Sequence, residues 1–81
     1  MHPVHSILNI AAYRFVTLND AAAWRESIRS QGQALQLKGT VLLAGEGINL
    51  VVAGAEAAVR EFRAWLRRDV HFADLEFKES L

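Results

Sequence analysis

The chain has no cysteine. That excludes a disulfide framework, a thiolate zinc site and a nucleophilic thiol, so any sulfur or thioester chemistry belongs elsewhere. No run reaches the roughly 18 apolar residues of a membrane helix, and the N-terminus lacks the charged-then-apolar pattern of a signal segment. The expectation is a cytoplasmic protein with no membrane partner. Charge of one sign is missing too: nine Lys and Arg balance nine Asp and Glu. No overall field steers the domain toward nucleic acid, and only a local patch can do that. At 81 residues the chain makes one domain, near the lower size for a single unstapled core.

What is present is organised around Lys38–Gly54, KGTVLLAGEGINLVVAG. Two apolar runs, Thr40–Ala44 and Ile48–Ala53, flank Gly45-Glu46-Gly47. Such runs, bounded by glycines, predict two strands joined by a tight hairpin. Gly45 and Gly47 are expected to supply the positive φ that a hairpin turn demands.

Around this pair the chain reads in order. Met1–Ser6 reads as a loose tail. His2 and His5 have too few companions for a metal site, with Pro3 between them and no nearby carboxylate or third histidine. Ile7–Val16, apolar on both faces, predicts a central strand with Ala11, Tyr13 and Phe15 on one side and Ile10, Ala12 and Arg14 on the other. Tyr13 and Phe15 are expected to face the core, leaving Arg14 on the opposite side. Asn19 or Asp20 caps a first helix, in which Trp24, Ile28 and Leu35 form the apolar stripe and Arg25, Glu26 and Arg29 point away. Gly32 weakens this helix, but the stripe favours its continuing to about Leu35. A second helix starts near Glu56, with Ala58, Phe62, Trp65 and Leu66 inward and a Glu56–Arg60 pair at i, i+4. Arg60, Arg63, Arg67 and Arg68 make a cationic ridge toward its C-terminus, where the helix dipole favours positive charge. Asp69–Ala73 reads as a loop. Leu75–Glu79 alternates as a last strand, with Leu75 and Phe77 on the apolar side.

The order is β-α-β-β-α-β, a ferredoxin-like α+β sandwich: a four-stranded antiparallel sheet with both helices on one face. The crossover rule puts the first and third strands in the middle. If the hairpin closes around Gly45-Glu46, Val41, Leu43, Ile48 and Leu50 share the helix side. Thr40, Leu42, Asn49 and Val51 then share an open side with Arg14, Glu76 and Lys78. A one-residue slip reverses both sets. An open face mixing apolar and polar groups suits a docking or binding surface.

Several catalytic templates do not match. Gly45-x-Gly47 is far short of a phosphate-binding loop ending in Gly-Lys-Ser/Thr. Small acylphosphatases share the topology, but their phosphate cradle is a glycine-rich loop with an arginine after the first strand. Here that loop is Thr17–Asp20, without either. RNA-recognition motifs stack bases on aromatics of the open central strands, and an inward Tyr13 and Phe15 do not provide them. Glu46, a lone acid at the hairpin tip, is a turn residue or a catalytic carboxylate. Asn49, within an apolar strand, needs a partner to offset desolvation. A bond to a neighbouring loop, a second domain or a ribose would serve.

The string KGTVLLAGEGINLVVAG, preceded by AAYRFVTLND and followed by AWLRRD and FADLEFKES, resembles the N-terminal domain of the rhodanese-related tRNA uridine hydroxylase family, formerly grouped with rhodanese-type sulfurtransferases. Nearly the whole chain takes part in the likeness, and the Glu46-Gly47-Ile48-Asn49 core with its flanking strands is fairly specific. Many members follow the asparagine with glycine, where this chain has Leu50. The resemblance implies an acylphosphatase-like domain followed, beyond Leu81, by a rhodanese domain bearing the reactive cysteine. It also implies oxygen-dependent 5-hydroxylation of wobble uridine in tRNA by the whole protein. In that setting the domain is expected to be a non-catalytic fragment with no cofactor or metal of its own, packing on the rhodanese domain and aiding tRNA binding. The candidate contacts are Arg14, Lys38, Glu46, Asn49 and Lys78, with Arg60, Arg63, Arg67 and Arg68 on the second helix. Two other classes stay open: a stand-alone acylphosphatase-like hydrolase, and a module that dimerises through its sheet.

Overall fold

The computed structural model describes residues 7–80. The tail and its His2 and His5 lie outside the described residues. Among the described residues six elements follow one another: β1 (Ile7–Phe15), α1 (Ala21–Ala34), β2 (Lys38–Ala44), β3 (Gly47–Ala55), α2 (Glu56–Arg67) and β4 (Lys78–Ser80). The strands form one antiparallel sheet in the order β2-β3-β1-β4. The first and third strands are central, as the crossover rule requires. The hairpin closes as expected: Ala44 pairs with Gly47, leaving Gly45-Glu46 as a two-residue turn.

That register decides which side chains reach the core. Leu43, Ile48, Leu50 and Val52 are buried, as are Leu8, Ile10 and Ala12 of β1. They join Ile28 of α1 and Val59, Phe62 and Leu66 of α2 in one cluster, so both helices cover the same sheet face. Asp20 caps α1, its carboxylate accepting the Ala23 amide at 3.1 Å. The helix runs past Gly32 to Ala34. It ends in a Schellman motif: Gln36 N–H donates to the Gln33 carbonyl and Leu37 N–H to that of Gly32, with Gln36 left-handed at φ 58°.

Three expectations are corrected. The first is the phase of β1. Tyr13 and Phe15 face away from the helices, 64% and 73% exposed. Arg14, opposite buried Ile48, is on the covered side. Pairing sets this phase: Ile10 lies beside Val52 and Ala12 beside Leu50, so the even residues of β1 continue the buried rows of β3.

The second concerns the glycines. Neither Gly45 nor Gly47 has a positive φ; the glycine that does is Gly39, at 137°. Gly47 is needed for space, because a Cβ there would lie 2.4 Å from the Arg14 carbonyl oxygen. The third is the last strand. β4 pairs only over Lys78–Ser80. Leu75 is buried and Phe77 half-buried without joining the ladder, and Phe72, in the loop before them, is fully buried.

Candidate domain and nucleic-acid interface

Alternation leaves one whole sheet face without helices, and the strand pairings arrange it in rows. Phe15 lies beside Gly47, and Gly47 beside Ala44. In the next row Tyr13, Asn49 and Leu42 are neighbours, and in the next Lys78, Ala11, Val51 and Thr40. Ser80, Asn9, Ala53 and Lys38 form the row after that, where the Asn9 side-chain amide donates to the Ser80 carbonyl at 3.2 Å. Leu42, Val51 and Ile7 are 61%, 54% and 51% exposed. The Tyr13 and Phe15 rings meet edge to face at 5.1 Å. At the hairpin end a depression of about 200 Å³ is lined by Tyr13, Phe15, Leu42, Glu46 and Asn49 among others.

This placement changes the standing of two features. Asn49 is exposed between Tyr13 and Leu42, so no desolvation cost compels it to find a partner within the fold. The aromatics withheld from the open face by the expected phase of β1 are in fact on it. Glu46 stands at the exposed hairpin tip, and its carbonyl accepts the Val16 amide at 3.0 Å. Lys38 and Lys78 are exposed on the open side, as expected of Lys78.

The arginines are differently placed. Arg14 leaves the open face for the covered side, where it reaches Asp74 at 3.8 Å and the Asp74 carbonyl at 3.5 Å. On α2, Arg60 is paired with Glu56 at 2.8 Å and with Glu79 at 3.5 Å, and Arg63 is paired with Glu79 as well. The Glu56 hydrogen bond, aided by both carboxylates, holds the Arg60 pKa above its ordinary value. Arg67 donates twice to the Leu75 carbonyl, at 2.8 and 3.2 Å, and lies 5.2 Å from the Phe77 ring centroid. The ridge therefore ties α2 to β4 and the segment before it. Arg68 makes no ion pair among the described residues. Glu79 was the missed signal: it shares the helix-side parity of β4, so an acid there meets the arginines of α2.

Part of the loop between β1 and α1 is also engaged. Its Val16 and Leu18 amides donate to the carbonyls of Glu46 and Gly45 at 3.0 and 2.9 Å, and Leu18 is buried. An anion cradle needs such amides turned outward to the ligand. Here they tie the loop to the hairpin. Among the described residues, no group of three or more His, Cys, Asp or Glu is arranged to hold a metal, and no helix is long and apolar enough to cross a membrane.

A family model described as the UPF0176 acylphosphatase like domain matches residues 7–81. The chain belongs to that family. It is 60% identical over 77 residues to the tRNA uridine(34) hydroxylase of Variovorax paradoxus, covering 95% of this chain and 29% of the relative. It is 55% identical over 75 residues to the enzyme of the same name from Bordetella avium, covering 93% and 31%. The chain thus spans less than a third of the length of these relatives, at their N-terminal end. Among solved structures, an acylphosphatase from Coxiella burnetii superposes with a TM-score of 0.67 at 17% identity, over 95% of this chain and 83% of that one. The de novo designed protein Ferredog-Diesel does so with a TM-score of 0.67 at 13% identity, over 100% and 90%. At those identities the likeness is one of fold alone.

Proposed function

We infer that this domain is a non-catalytic accessory part of a tRNA uridine-34 5-hydroxylase, docking on the rhodanese domain of the same protein and helping it hold tRNA. The supporting observation is the open sheet face: five large apolar residues, Ile7, Tyr13, Phe15, Leu42 and Val51, are each more than half exposed on it. A patch of that kind, in a domain matching under a third of its relatives, fits burial against the remaining two thirds. Asn49, Glu46, Lys38 and Lys78 lie on or around it as polar contacts. In this reading the hydroxylation chemistry belongs to the rest of the protein, and this chain, with no cysteine, supplies no reactive thiol to it.

The test uses a full-length relative carrying aspartate at the positions equivalent to Tyr13 and Phe15. Expected is a loss of 5-hydroxyuridine in cellular tRNA, read by nucleoside mass spectrometry. The 81-residue chain with the same changes should keep its melting temperature within a few degrees. Unchanged hydroxylation with soluble protein would remove the docking role. An acylphosphatase reading would instead require hydrolysis of an acyl phosphate, which the amides engaged after β1 argue against.

A further inference from the structure

Arg60, Arg63 and Arg67 of α2 are held in ion pairs or hydrogen bonds within the fold, leaving only the Arg68 side chain of that ridge without one among the described residues, so clustered phosphate contacts need other cations. They converge elsewhere. Helix α1 lies along the edge strand β2, and between them runs a groove of about 380 Å³. Arg25, Arg29 and Lys38 line it together with Thr40, and Ile28 and Phe62 belong to its apolar wall. No Asp or Glu is among the lining residues. The three cations are exposed. Arg29 has one loose partner, Glu26 at 3.9 Å, and pairs of this kind contribute little in water. Arg25 donates to the Leu43 carbonyl at 3.2 Å, which ties its guanidinium to the backbone of β2. Arg25 and Arg29 are one helical turn apart, a rise of about 6 Å. Lys38 also borders a second depression, shared with Ile7, Ala53 and Ala55, and so stands where the groove meets the open face.

We propose that the groove between α1 and β2 is a track for the phosphodiester backbone of RNA, with Arg25, Arg29 and Lys38 as its phosphate contacts. The proposal rests on the accessory-domain reading for its choice of RNA over an acidic peptide. It goes beyond that reading in placing the RNA contact along this edge, with Lys38 shared between the groove and the open face. Guanidinium and ammonium groups in a groove without carboxylates suit a polyanion, and the neutral whole-chain charge leaves the contact local and dependent on salt.

Binding of a fluorescein-labelled tRNA anticodon stem-loop to the 81-residue chain, measured by anisotropy from 50 to 200 mM KCl, tests it. The double variant Arg29→Ala/Lys38→Ala should weaken binding about tenfold and reduce the log–log salt slope by roughly 1.4, for two phosphates at about 0.7 each. Arg29→Lys alone should retain most of the affinity, and Arg68→Ala should change it less than twofold. Circular dichroism confirms that each variant is folded. Salt-dependent binding that survives the double variant intact would overturn the groove assignment and leave an RNA role on another surface. A wild-type chain showing no salt-dependent binding below about millimolar would remove the groove and the domain's own RNA contact together. Docking is then judged separately by the hydroxylation assay. Tighter binding of a polyglutamate peptide than of RNA would overturn the choice of ligand.

Discussion

The two faces of the sheet are cut from alternate residues of the same strands, and both are rich in apolar side chains. On the covered face Leu8, Ile10, Ile48 and Leu50 are at most 2% exposed, whereas on the open face Tyr13 and Phe15 exceed 60%. Hydrophobicity alone therefore does not say which face is the core; the helices do. Truncation should separate the faces most sharply. Phe72→Ala removes a ring packed edge to face on Trp24 at 4.9 Å, and should cost about 3–5 kcal/mol. Phe15→Ala should change stability by less than about 0.5 kcal/mol. Urea denaturation of both variants reads the difference directly. A costly Phe15→Ala would mean that the bare face is not bare in solution.

The glycines extend the comparison to the backbone. Gly39 lies where β2 crosses close to β3: a Cβ would stand 2.0 Å from the Val51 carbonyl oxygen, on a backbone with φ 137°. Gly45, in the hairpin turn itself, has its nearest such neighbour at 3.8 Å. Gly39→Ala should then destabilise by about 1–3 kcal/mol from the backbone conformation alone. Gly45→Ala should cost under about 1 kcal/mol. Thermal melts showing the reverse order would return the turn to the centre of the fold.

That contrast also shows what the chain discloses before folding. The hairpin is legible because Gly45-Glu46 punctuates two β-branched-rich runs, but its register is not: only the pairing of Ala44 with Gly47 decides the sides of Val41, Leu42, Leu43, Ile48, Asn49 and Leu50. The phase of β1 is not legible either, because Ile-Ala-Ala-Tyr-Arg-Phe is apolar on both sides and its largest rings favour an inward assignment. A signal was there: Asn9 shares the parity of Tyr13 and Phe15, and an amide belongs on the wetter face. Arg14 moved with that phase. The arginine ridge was visible as a stripe, but its partner Glu79 is 16 residues from Arg63, and helical spacing carries no such pairing. Phe72 escaped because it belongs to no periodic element. The groove between α1 and β2 could not be read at all, since it joins residues that only the packed fold brings together.

At the end of α1 a smaller effect is expected, and of the opposite sign. Gln36 adopts a left-handed backbone, φ 58°, to complete the helix cap. An L side chain there costs about 1–2 kcal/mol, partly offset by the greater freedom glycine has when unfolded. Gln36→Gly should therefore stabilise the domain by about 0.5–1 kcal/mol, seen as a higher urea midpoint with unchanged slope. Because Gln36 also borders the depression beside Lys38 and Ile7, the same variant asks whether that end of the open face tolerates change without loss of binding.

The smallest effect is set by pH, at the rim of the covered face. Residues 68–77 close that rim without regular structure, and Asp69 organises the turn. Its carboxylate accepts the His71 backbone amide at 2.8 Å and lies 2.6 Å from His71 Nδ1. The amide hydrogen bond first, and the ring contact second, lower the Asp69 pKa below the ordinary 3.8. A depressed carboxylate stabilises the folded state fully above its unfolded pKa and loses that contribution as pH falls through the folded value. Wild type should therefore exceed Asp69→Asn in stability from about pH 5 to 7, with the gap closing as pH drops below about 4. Both groups are partly exposed, so the gap is modest. A gap that stays constant down to pH 2.5 in paired urea titrations would assign the turn to hydrogen-bond geometry and not to charge. Either way the 68–77 segment holds Phe72 against Trp24, and its loosening should lower covered-face stability before it disturbs anything on the open side.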